Sequence, residues 1–427
     1  MSQSPQPPRS VSVPTDAPAP PPGTGMTRGL MLLFAAAAGF SVANVYYAQP
    51  LLDALAREFG IAQASVGAVV TMTQVGSALA LLFVVPLGDL LDRRGLMRVQ
   101  VAALVGALAL VASAQAVPLL FAGMLAVGLF GTAMTQGLLA YAASAAAPHE
   151  QGRIVGAAQS GVFVGLLAAR VFAGAVSDLA GWRGVYAVAA ALMLAVGLAL
   201  WKRLPALPPA RTRIGYPQLL RSMFTMLRGE RTLQVRGVIA LLMFAALNIF
   251  WSALVLPLSA PPFSLPHTAI GAFGLVGVAG ALVAARAGAA VDRGQGQRTT
   301  LIALVVLLAA WWPLSRLDQS LWALAIGIVL LDAAAQALHV TSQGMIVKTR
   351  PDAPGRLIGL YMLFYAVGSG LGGLGGTVAY ARGGWLAVCG LGAVVSLLAL
   401  VFWGVTRKSM EEAAPVDRKG ECRACSA

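Results

Sequence analysis

A chain of 427 residues with 58% hydrophobic and 11% charged side chains and a mean hydropathy of +0.78 cannot cover a water-facing surface with charge; soluble domains carry about 25% charged residues. The net charge of +14 could suggest nucleic acid, but the charges lie between apolar runs and not along one face, the pattern of membrane topology. Three cysteines, Cys389, Cys422 and Cys425, build no disulfide framework.

Residues 1–26 hold eight prolines and almost no large apolar residue, so they read as a disordered leader without the basic-then-apolar order of a signal peptide. Apolar segments near the ~20 residues that cross a bilayer as helix then follow. Twelve are predicted: 29–48, 64–87, 99–116, 119–146, 154–177, 184–201, 237–257, 269–290, 299–315, 320–346, 357–380 and 385–405. Helix is required, because hydrocarbon offers no partners for open backbone groups. The chain divides into a first bundle (27–201), a basic linker (202–236), a second bundle (237–406) and a tail (407–427). With the N-terminus in the cytoplasm, 25 of the 30 basic residues fall on that side and four on the other, Arg57, Arg183, Arg316 and Arg382. The linker, with eight basic residues and one acid, Glu230, is expected to lie on the anionic inner leaflet. Cys422 and Cys425 form a lone CxxC in the tail, read as inert, with metal or redox use the lesser reading.

The bundles are related. Gly88, Asp92, Arg93, Gly95 and Arg98, between the second and third spans, return as Gly288, Asp292, Arg293, Gly296 and Arg298, with only the inner glycine slipped. Pro148 with Gly152-Arg-Ile-Val-Gly156 recurs as Pro351 with Gly355-Arg-Leu-Ile-Gly359, and Gly181-Trp182 as Gly384-Trp385. An internal repeat of about 200 residues fixes the architecture as two pseudo-symmetric six-helix bundles.

Two six-helix halves, a linker and the 88–98 loop together resemble the major facilitator superfamily. The end of the first span, Asn44-Val-Tyr-Tyr-Ala-Gln-Pro50, is similar to bacterial efflux-type permeases of the arabinose-efflux-like or drug/proton-antiporter-like style. The resemblance covers residues 29–406. It implies alternating access by rocking of the halves about a central site, a cavity lined mainly by the first, fourth, seventh and tenth spans, and a monomer. It also implies a latch at the 88–98 loop. Gly88 would let the second and eleventh spans approach, and Asp92 would face the N-terminus of the eleventh, where a helix dipole favours a carboxylate. Arg93 and Arg98 would add charge pairs. Leu96 stands where the family usually has a basic residue. Without the resemblance, Arg93, Arg94 and Arg98 read simply as topology signals.

Ionisable groups inside a span are candidates for function, because hydrocarbon selects against them. Asp332, Arg170 and His339 are the ones placed well inside. Asp332, Gln336, His339 and Gln343 form one helical stripe on the tenth span, at steps of four, three and four. In lipid it must face protein or water. It reads either as a proton-coupled, substrate-facing wall or as a hydrogen-bonded network holding the helix in place. The repeat maps His339 onto Gln136 of the fourth span, which also carries Thr132. Arg170, ~10 Å below the outer end, and Asp332, ~16 Å below it, are expected to pair in one access state; the competing reading has Arg170 snorkelling outward. Asn44 and Tyr47 on the first span, and Asn248 and Trp251 on the seventh, are further cavity candidates, although tyrosines at a span's end are also interfacial anchors, as Trp182 and Trp385 are read to be. Gly368, Gly372 and Gly376 form a close-packing ridge, as do Gly161 and Gly165, expected between the halves. The GxGxxG at Gly368–Gly373 lies inside a span and follows no strand, so it is no nucleotide site.

These features predict an inner-membrane secondary transporter, a proton-coupled exporter of small organic molecules. A proton-independent facilitator or importer of the same fold is the alternative. A polytopic enzyme or receptor is remote, since no paired acids, metal cluster or nucleophile–base pair sits in a loop. No phosphate loop, cofactor or metal is expected; the partners are the bilayer, a small-molecule substrate and protons, with no nucleic acid.

Overall fold

The computed structural model describes residues 27–145, 150–204, 215–349 and 354–412, and all regular elements among them are helical. The expectations for the leader, for Pro148 and Pro351, and for Cys422 and Cys425 fall outside the described residues. The first half consists of α1 (Arg28–Ala43), α2 (Leu52–Phe59), α3 (Ala68–Leu79), α4 (Arg93–Ala112), α5 (Val117–Ala145) and α6 (Gln151–Arg203). Then come α7 (Tyr216–Gly229), α8 (Arg231–Ala253), α9 (Val255–Leu258), α10 (His267–Val276), α11 (Val278–Asp292), α12 (Gly296–Ala309), α13 (Trp311–Leu314), α14 (Leu321–Thr349) and α15 (Pro354–Glu412). Among the described residues, eight helices are long and apolar enough to cross a membrane.

Two of these eight are double. At 1.5 Å per residue the 53 residues of α6 would reach about 80 Å, more than twice the ~30 Å of a hydrocarbon core. Its backbone breaks at Gly181, at φ 70°. The 59-residue α15 breaks at Gly383 and Gly384, the latter at φ 63°. Positive φ is open to glycine at no steric cost, which gives the repeated Gly181-Trp182 and Gly384-Trp385 a physical role. Each is the bend between two spans. With α1 and the α10–α11 pair, the spans number twelve, the predicted fold. Large apolar side chains remain outside, among them Leu371, Val401 and Val405 of α15, as a lipid solvent permits.

Glycine ridges lock each half. A Cβ on Gly161 or Gly165 would stand 2.0 and 2.2 Å from the carbonyl oxygens of Ala35 and Gly39 on α1. On α15, a Cβ at Gly368, Gly372 or Gly376 would meet the carbonyl oxygens of Leu241, Ala245 and Ile249 on α8 at 2.1, 2.3 and 2.4 Å. These ridges therefore bind helices within one half, correcting the expectation that they slide between halves. The halves meet on different faces. The Gly67 N–H of the first half donates to Oγ1 of Thr377 (3.2 Å), and Thr71 Oγ1 donates to the Gly370 carbonyl (2.8 Å). Gly174 of α6 lies against His267, and Gly271 of α10 against Arg170.

Three further groups pack more deeply into protein than expected. Trp182 and Trp385 are 5% and 6% exposed and tie loops down: Trp182 donates to Glu58, and Trp385 to the Leu314 carbonyl at 2.8 Å. The described part of the linker includes α7, on which Leu219, Met223 and Met226 are buried, the two methionines against the second half. Its Tyr216 hydroxyl donates to the Phe83 carbonyl of the first half at 2.8 Å, so α7 straddles the halves. Arg236, counted with the linker, is buried in α8. It donates to Thr300 (2.6 Å) and Gln297 (3.0 Å) of α12, and Trp403 of α15 donates to the same Gln297 oxygen at 2.9 Å.

Gly372→Ala should lower stability by about 1–3 kcal/mol, because its methyl group meets backbone. Gly390→Ala, which meets nothing within 4 Å, should be neutral or stabilising by up to ~1 kcal/mol. Thermal unfolding of the purified protein in detergent reads both.

Candidate functional site

A cavity of about 690 Å³ lies between the halves. Its mouth is bordered by Gly88, Asp89 and Arg93 of the first half, by Gly355 and Arg356 of the second, and by Leu219 and Met223 of α7. Its floor is Arg170, Trp251 and Asp332. Beyond the floor, around Gln49, Pro50 and Gly271, only about 10 Å³ of space is left. The cavity is open at the end carrying the 88–98 loop and shut at the other.

The whole α14 stripe reaches this wall: Asp332, Gln336, His339 and Gln343 all line it. Thr132 and Gln136 of α5, the latter the repeat mate of His339, line the cavity from the other half. His339 stands with Nδ1 3.0 Å from the Tyr361 hydroxyl and Nε2 3.3 Å from the Gln343 amide nitrogen, with Phe244 edge-on to its ring. Oε1 of Gln336 is buried without a hydrogen-bond partner among the described residues. The spans that wall the cavity include the fifth and eleventh as well as the four that the resemblance implied; Gln159, Tyr365 and Met362 come from these.

Arg170 does not snorkel. It is 7% exposed and points into the protein, where Nε and Nη2 donate to Oε1 of Gln49 at 3.1 and 2.9 Å. Its guanidinium carbon lies 3.9 Å from the centre of the Trp251 ring, an attraction that strengthens as water is excluded. The same indole donates Nε1–H to Oδ1 of Asp332 at 3.4 Å. Trp251 thus stands between the buried cation and the buried acid. In this state they share a neighbour and form no direct ion pair. Gln49 hands the network on: its Nε2 donates to Oδ1 of Asn248 (2.9 Å), whose Nδ2 donates to Ser369 (3.0 Å). A buried charge is costly unless it is partnered, and for Arg170 Gln49 accepts two of the N–H groups while the Trp251 ring covers the guanidinium face.

Several candidates stand off the cavity. Helix α1 ends at Ala43 and residues 44–48 form turns, which rotates the side chains away from the helical register assumed for them. Asn44 turns inward and donates to the Phe40 carbonyl at 2.8 Å, and Tyr47 packs on Phe172 and Tyr186. Tyr46 takes the cavity position and hydrogen-bonds across the halves to Tyr365. Asn248 belongs to the buried network and does not line the opening. Gln49, Tyr46 and Tyr365 are the contacts that sequence reasoning underrated. Their only signal was a polar cluster before Pro50 and the four-residue step from Tyr361 to Tyr365.

The loop motif is likewise rearranged. A Cβ on Gly88 would meet nothing within 4 Å. Asp92 caps its own helix, accepting from the N–H groups of Arg94 (3.3 Å) and Gly95 (2.7 Å). Arg93 donates to the Gly88 carbonyl at 2.9 Å and the Ala140 carbonyl at 3.2 Å, and Arg98 lies 4.6 Å from the Trp201 ring centre. These contacts of the motif brace the first half; among the described residues no hydrogen bond or ion pair joins Asp92, Arg93 or Arg98 to the eleventh span, whose first-turn residues Gly355 and Arg356 stand across the mouth from Gly88 and Arg93. The second copy differs again. Asp292 ends α11, 3.7 Å from Lys348, while Arg293 is the C-cap, Gly288 faces Val340, and Arg298 lies in the first turn of α12.

Comparison with known proteins gives a consistent picture. The family described as Major Facilitator Superfamily matches residues 31–293 and again 237–422. The transporter YgaY of Escherichia coli O157:H7, described as uncharacterized, is 40% identical over 382 residues, which is 90% of this chain and 96% of YgaY. The Streptomyces coelicolor protein SCO4007, described as a transporter, is 32% identical over 422 residues, 94% of each chain. Among solved structures, a bacterial homolog of the human lysosomal transporter Spinster, inward-facing and occupied, aligns with a TM-score of 0.71 over 90% of this chain and 97% of its own. At 14% identity that likeness is one of fold.

In a variant lacking Cys389, Cys422 and Cys425, a single cysteine at Gln136 or Gln336 should react readily with a water-soluble thiol reagent. One at Tyr47 or Asn248 should react slower by an order of magnitude or more. Mass-spectrometric labelling kinetics check this.

Proposed function

The chain belongs to the major facilitator superfamily, a secondary transporter of alternating-access design spanning the membrane many times, and we propose that it exports small organic molecules in exchange for protons. The observation that carries this reading is the cavity itself. An acid, Asp332, a histidine, His339, and an arginine, Arg170, converge on one opening between two rigid halves, although hydrocarbon otherwise excludes such groups.

In this reading the termini are cytoplasmic, as the 25-to-4 distribution of basic residues argues, and the open mouth faces the cytoplasm of a bacterial cell. Substrate enters past the 88–98 loop and meets Asp332 and Gln336. The carboxylate holds either a proton or the substrate's polar group, because a bare buried charge is costly. Exchange of one for the other is the coupling. Arg170, fixed by Gln49 and Trp251, keeps a positive charge beside Asp332 in this state. Rocking closes the mouth, brings the 88–98 loop toward the start of α15, and opens the far end. Rigid halves support this motion, since the glycine ridges leave no room for internal sliding.

The test is uptake into inverted membrane vesicles, screened across compound classes with and without an imposed pH gradient. One pH unit is worth about 1.4 kcal/mol, hence up to roughly tenfold accumulation per proton exchanged. Wild type should accumulate substrate only with the gradient, and Asp332→Asn should fall to passive equilibration. Accumulation that ignores the gradient in wild type would point to the facilitator or importer alternative.

A further inference from the structure

Opposite the open mouth, a cluster outside the spans predicted from sequence joins the two halves through one histidine. His267 is the first residue of α10, ahead of the span predicted to begin at 269, and belongs to the second half. Its Nε2 lies 2.9 Å from Oδ1 of Asp53 on α2, and its Nδ1 lies 3.2 Å from Oδ1 of Asp178 on α6. Both acids belong to the first half. The ring is only 17% exposed, and Asp53 only 6%.

The geometry dictates the protonation state. A neutral imidazole has one N–H and one acceptor nitrogen. Here both nitrogens face carboxylate oxygens, so both must donate. Asp178 is an acceptor through both of its oxygens. Oδ1 also accepts the His267 backbone N–H (3.1 Å), and Oδ2 accepts the N–H (2.8 Å) and hydroxyl (2.6 Å) of Thr268. These fixed donors leave it no room for a proton. It also caps α10 from the other half, where Pro266 provides no side-chain cap, and a carboxylate at a helix N-terminus is favoured. Asp53 has Arg57 3.0 Å from its other oxygen. Glu58, the other acid on α2, is engaged by Trp182 and Arg183 and lies outside the cluster. The charged groups facing His267 are therefore Asp53, backed by Arg57, and Asp178.

We propose that Asp53, His267 and Asp178 form a proton-binding site that bolts this end of the transporter shut, the bound proton making His267 a cationic bridge between the halves. When the end opens, the histidine leaves both carboxylates and the proton returns to water on that side. The device needs only alternating access; it depends on neither the export nor the coupling reading of the cavity.

The pH dependence has a definite sign. Hydrogen bonding to Asp53, then opposed by burial and reinforced by the charges of Asp53 and Asp178, raises His267 above its ordinary value. Burial pushes Asp53 up, but its hydrogen bond and charge interaction with His267, together with Arg57, outweigh this and hold it below the usual carboxylate range. A raised histidine stabilises closure fully below its ordinary value of ~6.5 and ceases to do so as pH rises through its closed-state value. The depressed Asp53 would withdraw its contribution only in acid, below its ordinary value of ~3.9. Mildly acid solution favours the bolted state, and alkaline solution releases it.

Spin labels at Gln115 and Gln319, both exposed on loops at this end, in the cysteine-free full chain in nanodiscs, measure its opening without any substrate. Below pH 6.5 the wild type should give one short distance; at alkaline pH a longer distance should grow in. The closed-to-open ratio should change tenfold for each unit by which closure raises the histidine. His267→Gln should lose the pH dependence, and His267→Arg, permanently charged, should stay closed throughout. A wild-type distribution unchanged from acid to alkaline pH, or a His267→Gln protein that keeps the same response, overturns the proposal. Vesicle transport failing to follow a pH gradient while the labels still report the transition would discard the exporter reading and leave the bolt intact.

Discussion

Everything in this molecule answers to one constraint: hydrocarbon supplies no hydrogen-bond partner. Each polar group that enters the bilayer must bring its partner along or find it on another helix. Arg170 shows the consequence most clearly. Its charge sits inside a bundle because Gln49 accepts two of its N–H groups and Trp251 covers its face. Gln49 in turn holds Asn248 of the other half, and Asn248 holds Ser369. One buried cation thereby organises a polar thread across the interface at the floor of the cavity. Arg236 follows the same rule at the opposite end of its helix, with Thr300 and Gln297 as partners.

The second determinant is how closely backbones approach. Without a hydrophobic drive between helices in lipid, close packing of small residues holds them together. The glycine ridges of α6 on α1 and of α15 on α8 use this contact within each half, and its duplication is the repeat made physical. Contacts between halves combine the same close approach, Gly67 on Gly373, Gly174 on His267 and Gly271 on Arg170, with hydrogen bonds to backbone around Gly67, Thr71 and Thr377, which can be exchanged for water. The polar part of this seam is what can re-pair with solvent when one end opens.

Within the cavity, the two halves contribute unequally. Asp332, Gln336, His339 and Gln343 come from one face of α14, whereas the matching face of α5 offers Thr132 and Gln136 and no ionisable group. The duplicated architecture has therefore kept its packing and lost its chemical symmetry. The 88–98 loop shows the same divergence. Asp92 caps α4, while its repeat mate Asp292 sits at the C-terminal end of α11 beside Lys348.

The sequence alone determined the solvent, the helix count and the duplication, because composition and period survive without coordinates. It also determined that the stripe on α14 lies on one side and faces protein or water, since four polar residues at steps of four, three and four can only occupy one side of a long regular helix; that this side borders a cavity was left to the tertiary structure. Tertiary structure decided what period does not reach. Residues 44–51 leave the helix before Pro50, so Tyr46 and not Tyr47 faces the cavity, and no helical wheel could have placed them. Arg170 and Asp332 lie about 160 positions apart, and the indole between them comes from a third helix. His267 stood outside every span and looked like loop until folding set it between two acids more than 80 residues away in the chain. Local pattern encodes which face of a helix is polar. The identity of its neighbour is set by how helices distant in sequence come to pack, and that exists only in the folded chain.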